Sequence, residues 1–62
     1  VLTLIHPEWM DTVRIYGQSS YRVSNGDRAR VVRQTDSSIT LGWEKWGEEL
    51  FVQNPDGSYH LK

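Results

Sequence analysis

Turn-forming residues cut this chain into pieces too short for stable helices. Pro7, Gly17, Asn25-Gly26, Asp36-Ser37, Gly47 and Asn54-Pro55-Asp56-Gly57 follow one another at short intervals. An isolated helix needs about 12–15 residues to hold in water, whereas a strand is complete at about 5–6. Between the turns the residues alternate between apolar and polar, the period of a half-buried strand.

Val1 to Ile5 is a run of strand formers, expected to be buried on both faces and ended at His6-Pro7 by proline's missing N–H. Pro7 to Asp11 reads as a loop that folds Trp9 and Met10 back onto the core. In Thr12 to Tyr16, Val13 and Ile15 share one face, and Thr12, Arg14 and Tyr16 the other. Gly17-Gln18-Ser19 is turn material. Ser20 to Ser24 alternates again, with Tyr21 and Val23 expected inward and Arg22 outward. Asn25-Gly26 is the strongest short hairpin signal, because both residues accept the positive φ of a type I′ turn. Arg28 to Gln34 follows, with Ala29 and Val31 on one face and a bulge expected near Val32-Arg33, where the alternation breaks. Thr35-Asp36-Ser37 turns the chain into Ser38–Trp43, in which Ile39, Leu41 and Trp43 alternate with Ser38, Thr40 and Gly42. Glu48 to Gln53 is its hairpin partner. Asn54-Pro55-Asp56-Gly57 leads to a last strand with Tyr59 and Leu61 inward.

The pattern predicts an all-β domain of about six or seven strands, an antiparallel meander curling into a small barrel that hides its edges. By size the nearest common architecture is SH3-like, with about six strands. The likeness is one of size and pattern. The chain lacks the acidic, aromatic loop that follows the first strand of an SH3 domain, and Trp43 and Trp46 are far closer together than the two tryptophans of a WW domain.

With 62 residues and no cysteine, the chain is one domain whose core must be made of apolar side chains alone. The three Trp, three Tyr and one Phe supply much of the area, since each buried aromatic removes roughly 150–250 Å² from water. Stability of about 3–5 kcal/mol is expected. No apolar run approaches a membrane span. A start at Val1 fits a processed chain or a piece of something longer, and because a lone small barrel is often one module, a module of a larger protein is the expectation.

Net charge is −1, which argues against general attraction to nucleic acid or anionic membranes. The charge is nonetheless uneven. Arg14, Arg22, Arg28, Arg30 and Arg33 all fall before Thr35, and most acids follow it. The simpler reading of these arginines is a solvated sheet face. Together with Tyr16 and Tyr21 they also offer a basic, aromatic face of the kind that binds single-stranded nucleic acid.

Candidate chemistry is sparse. His6, His60 and Glu8 fall short of a defined metal site, and the two histidines read as surface residues beside the chain ends. Glu44, Glu48 and Glu49 near two indoles suggest the paired carboxylates of a glycosidase, but read more simply as surface acids on a hairpin. No nucleophile triad or phosphate loop is present, so a non-enzyme without cofactor or metal is expected.

The candidate partner-binding residues are Trp43, Glu44, Lys45, Trp46, Glu48 and Phe51. Trp43 reads as core by its alternation. Trp46, near the hairpin tip, reads as a partner anchor or as a lid on the barrel mouth. The expected function is a non-catalytic interaction module that takes a protein or polymer partner, protein or polysaccharide, through this edge; a carbohydrate-binding module using the same tryptophans is the alternative. Nucleic acid on the arginine face is a further alternative, and the oligomeric state is read as a monomer or weak dimer.

Overall fold

The computed structural model describes residues 2–62. They form seven strands: β1 (Leu2–His6), β2 (Asp11–Tyr16), β3 (Ser19–Arg22), β4 (Arg28–Gln34), β5 (Ser38–Trp43), β6 (Gly47–Gln53) and β7 (Tyr59–Leu61). Each pairs antiparallel with the next, giving a single sheet in chain order. A flat sheet of this width would be about 10 Å thick. The molecule measures 28 × 22 × 21 Å, with no thin direction. The sheet is therefore curled, and β1 returns to lie beside β7. This is a small, nearly closed, SH3-like barrel. Among the described residues there is no helix long and apolar enough to cross a membrane.

The interior holds Leu4, Val13, Ile15, Ala29, Ile39, Leu41, Trp43 and Phe51. Leu2, Trp9, Val31, Tyr59 and Leu61 pack against them from the rim. Fully burying a large apolar side chain contributes about 1.5–3 kcal/mol, so this cluster outweighs any surface contact. The inward residues of β2, β5 and β7 are those the alternation predicts. The bulge in β4 lies between Val31 and Arg33, as expected, and it turns Val32 outward over Gly42.

Four expectations are corrected. The strand read from Val1 to Ile5 is buried on one face only: Leu4 points in and Ile5 is exposed, while Val1 lies outside the described residues. Trp9 does fold back onto the core, but Met10 is exposed, at the end of a turn closed by its N–H donating to the His6 carbonyl (2.8 Å).

The third correction is the facing of β3. Gly17 and Gln18 form a two-residue connection that pairs Tyr16 with Ser19 and hence Ile15 with Ser20. Gly17 sits at φ 61°, the first position of such a turn, where glycine is favoured. Ile15 faces inward, so Ser20 must too. Tyr21 therefore lies on the outside, Arg22 turns toward the interior beside Val13, and Val23 is exposed.

The fourth concerns Asn25-Gly26, which is not a type I′ turn. Arg22 and Asp27 close a longer connection, Gly26 N–H donates to the Arg22 carbonyl (2.8 Å), and only Gly26 takes positive φ. Asn25 instead accepts the Asp27 N–H on its side-chain oxygen at 2.9 Å.

Candidate functional site

Three places gather polar and aromatic side chains: the β5–β6 turn, the barrel end around His6, and the outer face of β2–β4.

At the β5–β6 turn, Glu44, Lys45 and Trp46 connect Trp43 to its partner Gly47. The turn is held to the neighbouring strand and loop. Glu44 N–H donates to the Arg28 carbonyl (3.1 Å), and Lys45 Nζ lies 3.3 Å from Asp27 Oδ1. With Lys45 largely in solvent, that ion pair adds at most about 1 kcal/mol; the backbone bond and the strand pairing fix the turn. Trp43 and Phe51 are core residues, 3% and 0% exposed, and present no surface. The accessible members of the expected set are Glu44, Lys45, Trp46 and Glu48. Trp46 is 63% exposed and is no lid on the barrel.

At the barrel end, His6 is 0% exposed, which corrects its reading as a surface residue. It shares strand parity with Leu2 and Leu4 and so points inward. Its Nδ1 accepts the backbone N–H groups of Glu8 (3.1 Å) and Trp9 (3.2 Å). The ring proton is therefore on Nε2, which donates to Glu49 Oε1 at 2.9 Å. Glu49 faces inward opposite Leu41, so it is not the surface acid its sequence position suggested.

The imidazole stacks on Trp9 with centroids 3.7 Å apart and planes within 8°, and it meets the edge of Phe51. The Arg22 guanidinium also lies over the Trp9 ring, 4.4 Å from its centroid, and its Nε donates to Asp11 Oδ2 at 2.6 Å. Ser24 hydroxyl also donates to Asp11. These bonds, Ser24 first and Arg22 second, hold the Asp11 carboxyl down from the ordinary 3.8 to about 2. Both His6 nitrogens are thus engaged within the protein, and the His60 ring is bonded to Asn54 on β7's outer side. Among the described residues no group of three or more His, Asp or Glu side chains could hold a metal ion.

On the outer face, Arg14 pairs across with Tyr21, Tyr21 with Arg28, and Ser19 with Arg30. The phenol oxygens of Tyr16 and then Tyr21 beside Arg14 push its pKa up. Arg33 also faces out, opposite Thr40. Arg22 is separated from this set by its inward turn. An inward Tyr21 is at odds with the basic, aromatic face that the sequence offers with Tyr16 and Tyr21, and the register turns Tyr21 outward beside Tyr16. The length of the Gly17-Gln18 turn is the signal that reveals it.

The chain matches no protein-family model, no curated protein and no solved structure.

Proposed function

We propose that this domain is a non-catalytic binding module that engages a protein or polysaccharide partner through the β5–β6 turn. The observation that carries the reading is Trp46, an indole 63% exposed on a turn fixed at its base. Exposing so large an apolar ring forgoes burial, and a rigid aromatic at a protruding tip is the residue type that dominates interface energetics. Lys45, Glu44 and Glu48 around it are suited to hydrogen bonds at the rim of the contact.

The test compares wild type with Trp46→Ala on a display panel of peptides and oligosaccharides. Trp46 lies outside the core, so the variant should keep the wild-type urea midpoint. A hot-spot indole contributes about 2 kcal/mol or more, roughly a thirtyfold loss of affinity on truncation. The expected result is a ligand bound by wild type, weakened to that extent by Trp46→Ala and little affected by salt. Indistinguishable panels for the two proteins would remove the tip as the binding surface.

A further inference from the structure

The outer face of β2–β4 forms an open trench. Two adjoining depressions of about 430 and 400 Å³ share Ser19, Ser20 and Arg28. One ends at Tyr16 and Tyr21, and the other continues past Arg30 and Gly42 to Glu44. The Tyr16 and Tyr21 rings are parallel within 2°, with centroids 6.0 Å apart. Arg14 lies between β1 and Tyr21 in the cross-strand order, and Arg28 follows Tyr21 on the other side.

Three features give this trench a chemical preference. Among the described residues the ion pairs join Arg22 to Asp11 and Lys45 to Asp27, while Glu49 accepts from His6. Arg14, Arg28 and Arg30 belong to none of them, and all three are exposed. The positive charge is therefore local, on a chain whose net charge is −1. The second feature is the pair of tyrosine rings beside the guanidiniums, an aromatic surface that a purely ionic site does not need. The third is shape. The trench is shallow and crosses the strands, and among the described residues there is no helix to enter a duplex groove.

We propose that this face binds single-stranded nucleic acid, with Arg14, Arg28 and Arg30 on the phosphates and Tyr16 and Tyr21 stacked on unpaired bases. Arginines that follow a backbone beside rings that accept any base form a sequence-tolerant single-strand site. Glu44 repels phosphate, so the strand leaves the trench before the β5–β6 turn. This site is separate from the proposed Trp46 contact and stands or falls without it.

The test is fluorescence anisotropy of a labelled oligo(dT) of about 12 nucleotides, titrated with the whole chain at several salt concentrations. Each phosphate contact on a single strand contributes about −0.7 to the slope of log K against log salt, so three arginines predict a slope of about −2. Arg28→Ala/Arg30→Ala should weaken binding more than tenfold and flatten the slope by about 1.4. Tyr16→Ala and Tyr21→Ala should each cost about tenfold at unchanged slope. Tyr21→Phe, which keeps the ring, should bind as wild type and guards against a folding artefact. Trp46→Ala should bind the oligonucleotide normally.

The proposal is overturned if oligo(dT) fails to bind at low salt, or if the double arginine variant binds as wild type. It is also overturned if Trp46→Ala abolishes binding. Heparin competing while the tyrosine variants lose nothing would mean a polyanion surface rather than a nucleic-acid site.

Discussion

Arg22 and Arg28 are close in sequence and have opposite surroundings. Arg22 turns toward the barrel end, with its guanidinium over Trp9 and its Nε on Asp11. Arg28, with Arg14 and Arg30, stands outside without a carboxylate partner among the described residues. The same side chain is a fold-holding group in one place and a free charge in the other. Strand parity makes the difference: Arg22 shares the inward face with Ser20, while Arg28 is paired with outward-facing Tyr21. Charge on the inward face must be matched because burial makes an unmatched group costly. Charge on the outward face costs almost nothing and remains available to a partner. The contrast gives each end of the comparison its own variants.

The largest expected effect is at His6. Replacing it with alanine removes a fully buried ring, strips the acceptor from the Glu8 and Trp9 N–H groups, and leaves Glu49 without its donor. A cavity and orphaned polar groups together cost about 3 kcal/mol, close to the whole stability of about 3–5 kcal/mol expected of a domain this small. His6→Ala should lose more than half of its stability, read as a urea midpoint less than half the wild-type value. Glu49→Gln, which keeps an acceptor oxygen for Nε2, should lose less than about 1 kcal/mol in urea. A His6→Ala protein as stable as wild type would mean that the barrel end is ornamental and the core alone holds the fold.

The intermediate effect separates the two arginine classes directly. Arg22→Ala loses a cation–π contact worth about 1 kcal/mol when partly desolvated, and the ion pair to Asp11 adds to it in the same direction. Arg28→Ala and Arg30→Ala should each stay within about 0.5 kcal/mol of wild type, as surface substitutions usually do. Equal losses at Arg22 and Arg30 in urea titrations would erase the distinction between holding and free charge.

Most of the fold was legible in the sequence because its signals were local. Alternation marked the strands, and Ile39, Leu41 and Trp43 were placed inward correctly. The strand order followed from short connections that only neighbours can satisfy. What was misread depended on counting residues in turns. A two-residue connection at Gly17-Gln18 and a longer one after Arg22 set the register, and a one-residue slip sends every side chain to the other face. Reading Tyr21 and Val23 as inward followed hydrophobicity where register was decisive. It conceals the clamped Arg22. His6 was missed for a related reason. Its parity with Leu2 and Leu4 marks it as inward, whereas its place beside the chain end suggests the surface. At the candidate site, the exposure of Trp46 could not be read from its type, because the same indole three residues earlier, at Trp43, is core.

The smallest effect is the pH dependence in acid. The Ser24 hydroxyl and the Arg22 guanidinium hold Asp11 from 3.8 down to about 2 in the folded state. A carboxyl whose folded pKa lies below its unfolded one binds protons more readily when unfolded. Its contribution is therefore fully present above about pH 4–5 and is lost as the pH falls toward 2. Asp56, lowered first by the Ser58 hydroxyl and then by its N–H, acts in the same sense. Urea midpoints should thus be flat across neutral pH as far as these groups are concerned and fall between about pH 4 and 2. Asp11→Asn should remove part of that acid limb while lowering the neutral-pH midpoint, since an amide accepts these bonds without the charge. The outward arginines provide the control: Arg28→Ala/Arg30→Ala, which touches no shifted carboxyl, should reproduce the wild-type acid limb. If the double arginine variant flattens the limb and Asp11→Asn does not, the outer charges are the ones tied to folding and the assignment of the two faces is reversed.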